Sequence, residues 1–418
     1  MDNYIPRVID SEVERGLRSA GALVIKGPRA CGKTRTALQH ALSAIQLDRD
    51  TPEAAVARMQ PAEALRGERP RLIDEWQAAP GVWNEVRHAV DDSHLKGQFI
   101  LTGSATPDEV AHRHSGAGRI RSVVMRTLSL REKGVEAEPV SLARIIGGTQ
   151  KPTQGSKLTV PDYASHLVTG GFPELFSLDP ADAQEAMESY LLEMSEHDYP
   201  DLVGPRRDPR LFRNFLLGYA GLIAQPATAA AIRRRIGELS GAHTPPSPET
   251  VNVLHDFATR LFLVEDQPAW SPSVRSKTTL MQMPKRRLAD PGLAAALLAV
   301  DPDYLLRDLE TLGIFFESLV VHDLRVYAQA LRSRGVFHLR DTKGREEIDA
   351  VVELRDGRWL GFEVKLSHHA IDGAAAHLKA AAAKVVPEAA ALLVIVPTGP
   401  AFRRADGVWV VPLAALAP

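Results

Sequence analysis

The stretch "IKGPRACGKTRTAL", residues 25–38, constrains this chain more than any other. A strand-like apolar pair leads in and a helical pattern leads out. Between them Gly27, Gly32, Lys33 and Thr34 are spaced as GxxxxGK[ST]. Two glycines on one bend let the backbone turn its N–H groups inward, around phosphate oxygens, and a helix beginning near Lys33 adds its positive end. On this reading Gly27, Pro28, Arg29, Ala30, Cys31, Gly32, Lys33, Thr34 and Arg35 form a phosphate-wrapping loop. Lys33 is expected to reach the β- and γ-phosphates of ATP, and the Thr34 hydroxyl to ligate Mg²⁺. A mere tight turn is the alternative.

The surroundings suit the first reading. Over residues 1–135 the strand-like ALVIK, RLIDE, QFILTGS and RSVVMRTLSL alternate with helical stretches, the pattern of a parallel sheet wound with helices. RLIDE ends in Asp74 and Glu75, at the carboxyl end of an expected buried strand and hence beside the phosphates. Asp74 is expected to hold Mg²⁺ through water, and Glu75 to orient or deprotonate the attacking water. A small-molecule kinase would need the loop but not the second acid, so Glu75 argues for hydrolysis. Thr102, Gly103 and Ser104 end the next strand, and Ser104 is favoured to sense the γ-phosphate. Arg119 is expected either to reach a neighbouring subunit's γ-phosphate, which requires a homo-oligomer, or to be an ordinary surface arginine.

Residues 136–160 are poor in large apolar residues and read as a linker. Residues 161–300 read as mainly helical. Gly204 to Leu288 holds 13 Lys and Arg against 6 Asp and Glu, in a chain whose net charge is −2. Helix, turn, helix and strand are expected over residues 227–266. Val251, Leu254, Phe257 and Ala258 would face the core, with Thr250, Asn252, His255 and Arg260 left for a partner. Arg233 to Arg235 and the run Lys285-Arg286-Arg287 are candidate contacts to DNA phosphates.

Residues 301–418 begin with a long expected helix, Tyr304 to Ser333, followed by strand-like segments. In WLGFEVKL, Glu363 and Lys365 share one face at period two. A three-residue hairpin over residues 355–357 would set Asp349 opposite Glu363; a two-residue turn would separate them. Together, Asp349 and Glu363 are candidate Mg²⁺ ligands beside a scissile phosphate, with Lys365 activating water or stabilising charge. Glu317 adds a third oxygen, or else lies exposed on an amphipathic helix.

YIPR, GPRACGKT, LIDEWQ, ILTGSA, SGAGR, GGFPE, KRRLADPGLAAALL, FFESLVVHDL, EIDAVVE and FEVK together resemble AAA-type ATPases of bacteria and archaea that carry a C-terminal domain of unknown function. The resemblance covers nearly the whole chain. It implies an α/β AAA-like P-loop core (1–135), a helical winged-helix middle (161–300) and an α/β restriction-endonuclease-like end (301–418). Ala30-Cys31 departs from the Gln and small apolar residue common there, which should alter loop packing but not the phosphate ligands. The functional expectation is ATP hydrolysis coupled to DNA binding and Mg²⁺-dependent cleavage. Its alternative is a nucleotide-operated switch on protein partners with a non-cleaving nuclease fold. A polar, acidic start argues against a secretory leader, one cysteine fits a reducing cytoplasm, and no apolar run nears the ~18 residues of a membrane span.

Overall fold

Apolar runs of four or five residues, bounded by glycine and polar residues, become the strands of two sheets. The computed structural model describes residues 4–103, 116–199, 208–240, 245–271, 283–340 and 347–418. The chain divides into one unit of Met1–Thr127 with Arg260–Phe262 and a second of Leu128–Thr259 with Leu263–Pro418.

In the first unit, β1 (Ala22–Lys26), β2 (Ser43–Gln46), β3 (Arg71–Asp74), β4 (Phe99–Gly103) and β5 (Ile120–Val124) form an all-parallel sheet in the order β2-β3-β4-β1-β5. The period-two side-chain alternation of β1 explains why its run is continuously apolar. Leu23 and Ile25 join Val13, Cys31 and Ala37 on one face, while Ala22 and Val24 join Trp76, Trp83 and Val86 on the other. Trp76 is buried with its ring 5.1 Å from that of Trp83.

The second unit is built on a seven-stranded mixed sheet in the order β7-β12-β13-β11-β10-β9-β8. Its strands are β7 (Thr153–Ser156), β8 (Gly335–Arg340), β9 (Glu347–Glu353), β10 (Trp359–Val364), β11 (Ala391–Val396), β12 (Gly399–Arg403) and β13 (Trp409–Pro412). Two short strands, β6 (Val140–Ser141) and β14 (Leu416–Ala417), pair separately. The segment expected to be a linker is therefore part of the fold, since β7 pairs with β12 and β6 with β14. Local composition hid this because both partners lie more than two hundred residues downstream. The helix Ile371–Ala382 makes the parallel crossover from β10 to β11 and buries Ala374, Ala375 and Leu378.

The long helix expected over 304–333 is two helices, Pro302–Arg307 and Leu309–Ala330. Asp308 breaks the run and caps the second helix, accepting the Thr311 N–H at 3.1 Å. Between the sheet's flanking segments lie the helices Pro209–Ala220, Ala229–Ser240 and Pro248–Arg260. Val251, Leu254, Phe257 and Ala258 are buried. Residues 264–267 then bridge antiparallel to 285–288, and Ile223 bridges to Arg286. Two of the resembling motifs explain each other: Asp290 of LADPG accepts the Gly171 N–H of GGFPE at 2.9 Å, and a Cβ on Gly170 would lie 2.5 Å from Asp290 Oδ1. No described helix is long and apolar enough to cross a membrane.

Candidate functional site

The loop after β1 closes with Gly32 in the left-handed region (φ 101°), where it starts the helix Lys33–His40. Gly27 is fixed by space, because a Cβ there would lie 2.2 Å from the Met125 carbonyl oxygen. Ala30 also takes a left-handed φ of 61°, and Cys31 is fully buried in the core beneath, so the Ala30-Cys31 departure alters packing below the loop. Lys33 is 5% exposed, and its ammonium donates to the carbonyls of Pro28 (2.7 Å) and Gly27 (3.2 Å), which hold it across the loop.

β3 carries Asp74 to the same edge of the sheet. The Thr34 hydroxyl donates to Asp74 Oδ1 at 2.8 Å, the Thr102 hydroxyl of β4 donates to the same oxygen, and Gln46 Nε2 reaches Oδ2 at 3.3 Å. Hydroxyl and carboxylate oxygens are hard donors of the kind that would suit Mg²⁺. Glu75 follows in the left-handed region (φ 49°), and the Gln77 side-chain amide donates to its carboxylate. Thr102 is thus turned to the metal end of the site. Ser104 lies outside the described residues. Arg119 is not near its own subunit's loop: its carbonyl accepts the Ala22 N–H, at the opposite end of β1, about 15 Å of strand away, and its guanidinium pairs with Asp91.

Sequence reasoning missed the strap that braces this loop. Arg7 donates to the Cys31 carbonyl at 3.0 Å and the Arg126 carbonyl at 2.7 Å. Tyr4 donates to Asp10 at 2.7 Å and lies 3.1 Å from the Thr36 hydroxyl, while His40 lies 3.3 Å from Asp10. The strap's signal is YIPR, where Tyr4 and Arg7 carry the donors.

The second unit holds the other predicted residues. The hairpin over 355–357 has three residues, with Gly357 at φ 85°; Leu354 N–H bonds the Arg358 carbonyl, and Phe362 faces Ala350. The next pair in that register is Asp349 with Glu363. Asp349 Oδ2 accepts the Val364 N–H at 2.9 Å, and Glu363 Oε1 accepts from Lys365 at 2.9 Å. Burial, then repulsion from Asp349, pushes Glu363 up to about 7; burial, then Glu317, raises Asp349 as well.

Three expectations are corrected here. Lys285, Arg286 and Arg287 do not form a surface for phosphates; they are 2%, 8% and 1% exposed. Arg286 pairs with Asp266, Arg287 with Glu317, and Lys285 with Glu317, Glu347 and Asp349. Glu317 is neither an exposed position nor an open metal ligand, because two cations already hold its carboxylate. The Lys285 ammonium stands among Glu317, Glu347 and Asp349 where the sequence reading places a divalent ion, and among the described residues no group of three or more His, Cys, Asp or Glu is arranged to hold a metal ion. His255, expected to face a partner, lies 3.1 Å from Asp266.

Comparison with known proteins agrees with the first unit's architecture. Residues 19–133 match an AAA domain, residues 160–304 a domain of unknown function (DUF8612), and residues 312–416 another (DUF4143). Uncharacterized proteins of Mycobacterium bovis and Mycobacterium tuberculosis are each 27% identical over 361 residues, covering 85% of this chain and 72% of the relative. A signal transduction ATPase with numerous domains from Pyrococcus horikoshii, bearing a tetratricopeptide repeat sensor, aligns at 13% identity and a TM-score of 0.22 over 79% of this chain. This chain spans 50% of that protein, and a likeness so weak carries no argument. The domain matches support an AAA-type ATPase family with a C-terminal domain of unknown function. An AAA domain implies nucleotide binding, with the Mg²⁺ dependence usual for it.

Proposed function

We propose that this chain binds ATP with Mg²⁺ on the Gly27–Thr34 loop and hydrolyses it. The observation that carries this reading is the single edge of the sheet that holds Lys33 across the loop and Thr34 against Asp74. The loop's N–H groups and the Lys33 ammonium bind the β- and γ-phosphates. Thr34, directly, and Asp74, through water, would hold Mg²⁺, which when bound would supply charge neutralisation for the phosphates. Glu75, oriented by Gln77, positions the attacking water and takes its proton. Thr102 fixes Asp74, and γ-phosphate sensing falls to Ser104. Arg119 acts, if released from Asp91, only on a neighbouring copy in a homo-oligomer. Phosphate release measured with Lys33→Ala should fall at least about 100-fold. Glu75→Gln should keep ATP bound while turnover falls by a similar factor; unchanged turnover in either variant contradicts the assignment.

The helices from Pro209 to Arg260 and the 264–267/285–288 bridges have the order of a winged helix, and we read them so, with the second sheet as a restriction-endonuclease-like fold. DNA contact would then rest on Arg233 to Arg235 and the exposed side of Pro248–Arg260. The burial of Lys285, Arg286 and Arg287 favours the other output, a nucleotide-operated switch on protein partners. Turnover stimulated by DNA, with a steep salt dependence lost in Arg234→Ala/Arg235→Ala, would support the first. Stimulation by a protein and not by DNA would support the second.

A further inference from the structure

The carboxylate centre of the second unit is crowded with charge that a cleavage site would leave open. Lys285 Nζ lies 2.8 Å from Glu347, 3.0 Å from Glu317 and 3.4 Å from Asp349, with only 3% of its side chain exposed. Three acids drawn from a helix and a strand thus converge on one point, and that point is an ammonium group. Arg287 completes the neutralisation of Glu317 and accepts no competitor, because its other donors meet Gln267 and Ser318. On the far side of Asp349, Glu363 Oε1 takes Lys365, while its other oxygen, Oε2, is buried without a hydrogen-bond partner.

We propose that the Lys285 ammonium is the resident cation of this centre, standing where a metal-dependent nuclease with this strand arrangement would hold its divalent ion. The centre is then metal-free. It ties the 285–288 segment, and with it the neighbouring helices, to β9 and the helix Leu309–Ala330. A divalent ion cannot enter while the lysine stays, since two like charges would share one set of oxygens at hydrogen-bonding distance. The ammonium is well suited to the place: burial by itself would favour losing its proton, but Glu317, Asp349 and Glu347 outweigh burial and keep it charged. The same geometry identifies what would convert the site. Without the ammonium, Glu347 and Asp349 lose their nearest cation and, beside Glu317 on Arg287, leave a hard-oxygen set of the kind that takes Mn²⁺ or Mg²⁺.

The inference rests on the carboxylate geometry and not on ATP hydrolysis, so its test uses the full chain without nucleotide, stripped of metal with chelator. Mn²⁺ is titrated and the free ion read by electron paramagnetic resonance, alongside thermal melting. Wild type should bind no Mn²⁺ that Asp349→Asn removes, and should leave supercoiled DNA intact with Mg²⁺. Lys285→Met should melt about 10 °C lower, gain one Mn²⁺ site and recover stability with Mn²⁺, and Lys285→Met/Asp349→Asn should lose that site. Wild-type Mn²⁺ binding abolished by Asp349→Asn, or Mg²⁺-dependent cleavage abolished by Glu363→Gln, overturns the proposal. So does a folded Lys285→Met that gains no site. Should Lys285→Met not fold, the wild-type titration against Asp349→Asn decides alone.

Discussion

Glu363 is a buried carboxylate with one oxygen on Lys365, the other without a hydrogen bond though 3.9 Å from His377 Nδ1, and Asp349 is next in the hairpin register. Its raised value of about 7, against an ordinary 4.5, means the folded chain keeps a proton that the unfolded chain has released. The sign follows: this contribution to stability is full below about pH 4.5 and is lost as pH rises to about 7. Glu363→Gln should therefore flatten the pH dependence of the melting temperature between pH 5 and 8 and raise it at pH 8. A slope unchanged in the variant would contradict the assignment. At the same scale, Gly27→Ala pushes a methyl onto the Met125 carbonyl and should abolish ATP binding in a folded protein, read by nucleotide retention and circular dichroism.

The helix Lys33–His40 has only eight residues, too short to hold itself in water, so its placement depends on what braces it. Arg7, Tyr4 and Asp10 supply that brace. Arg7→Ala leaves the Cys31 and Arg126 carbonyls without their charged donor and should raise the KM for ATP about tenfold, with part recovered in Arg7→Lys. Unchanged steady-state kinetics would remove the strap from the account. Elements of this kind mark the limits of reading from sequence. β1, β3 and β4 were legible because each is a short apolar run buried on both faces, whereas the half-exposed SAIQ of β2 gives no such signal. The Asp349–Glu363 register was legible because Gly357 closes a three-residue turn. β6 and β7 were not, since their partners are remote in sequence, nor was the break at Asp308, where one side chain outcompetes an otherwise continuous helical pattern. The basic run at 285–287 misled for the same reason: its acids arrive from Asp266, Glu317, Glu347 and Asp349, and composition alone cannot tell a buried ion cluster from a DNA-facing surface.

Across the whole molecule, chemistry separates by unit. The first presents an open loop with a lysine, a hydroxyl and a carboxylate around a place for phosphates; the second closes its acids on its own cations. This predicts a protein whose turnover is of ATP and whose response to Mg²⁺ is traced to Thr34 and Asp74, with no part played by Asp349 or Glu363. The most direct measurement is ATP turnover by the purified chain with Mg²⁺, wild type beside Lys33→Ala. The account predicts phosphate release that the variant lacks. Failure of the wild type to retain ATP with millimolar Mg²⁺, or equal turnover in both, would contradict it.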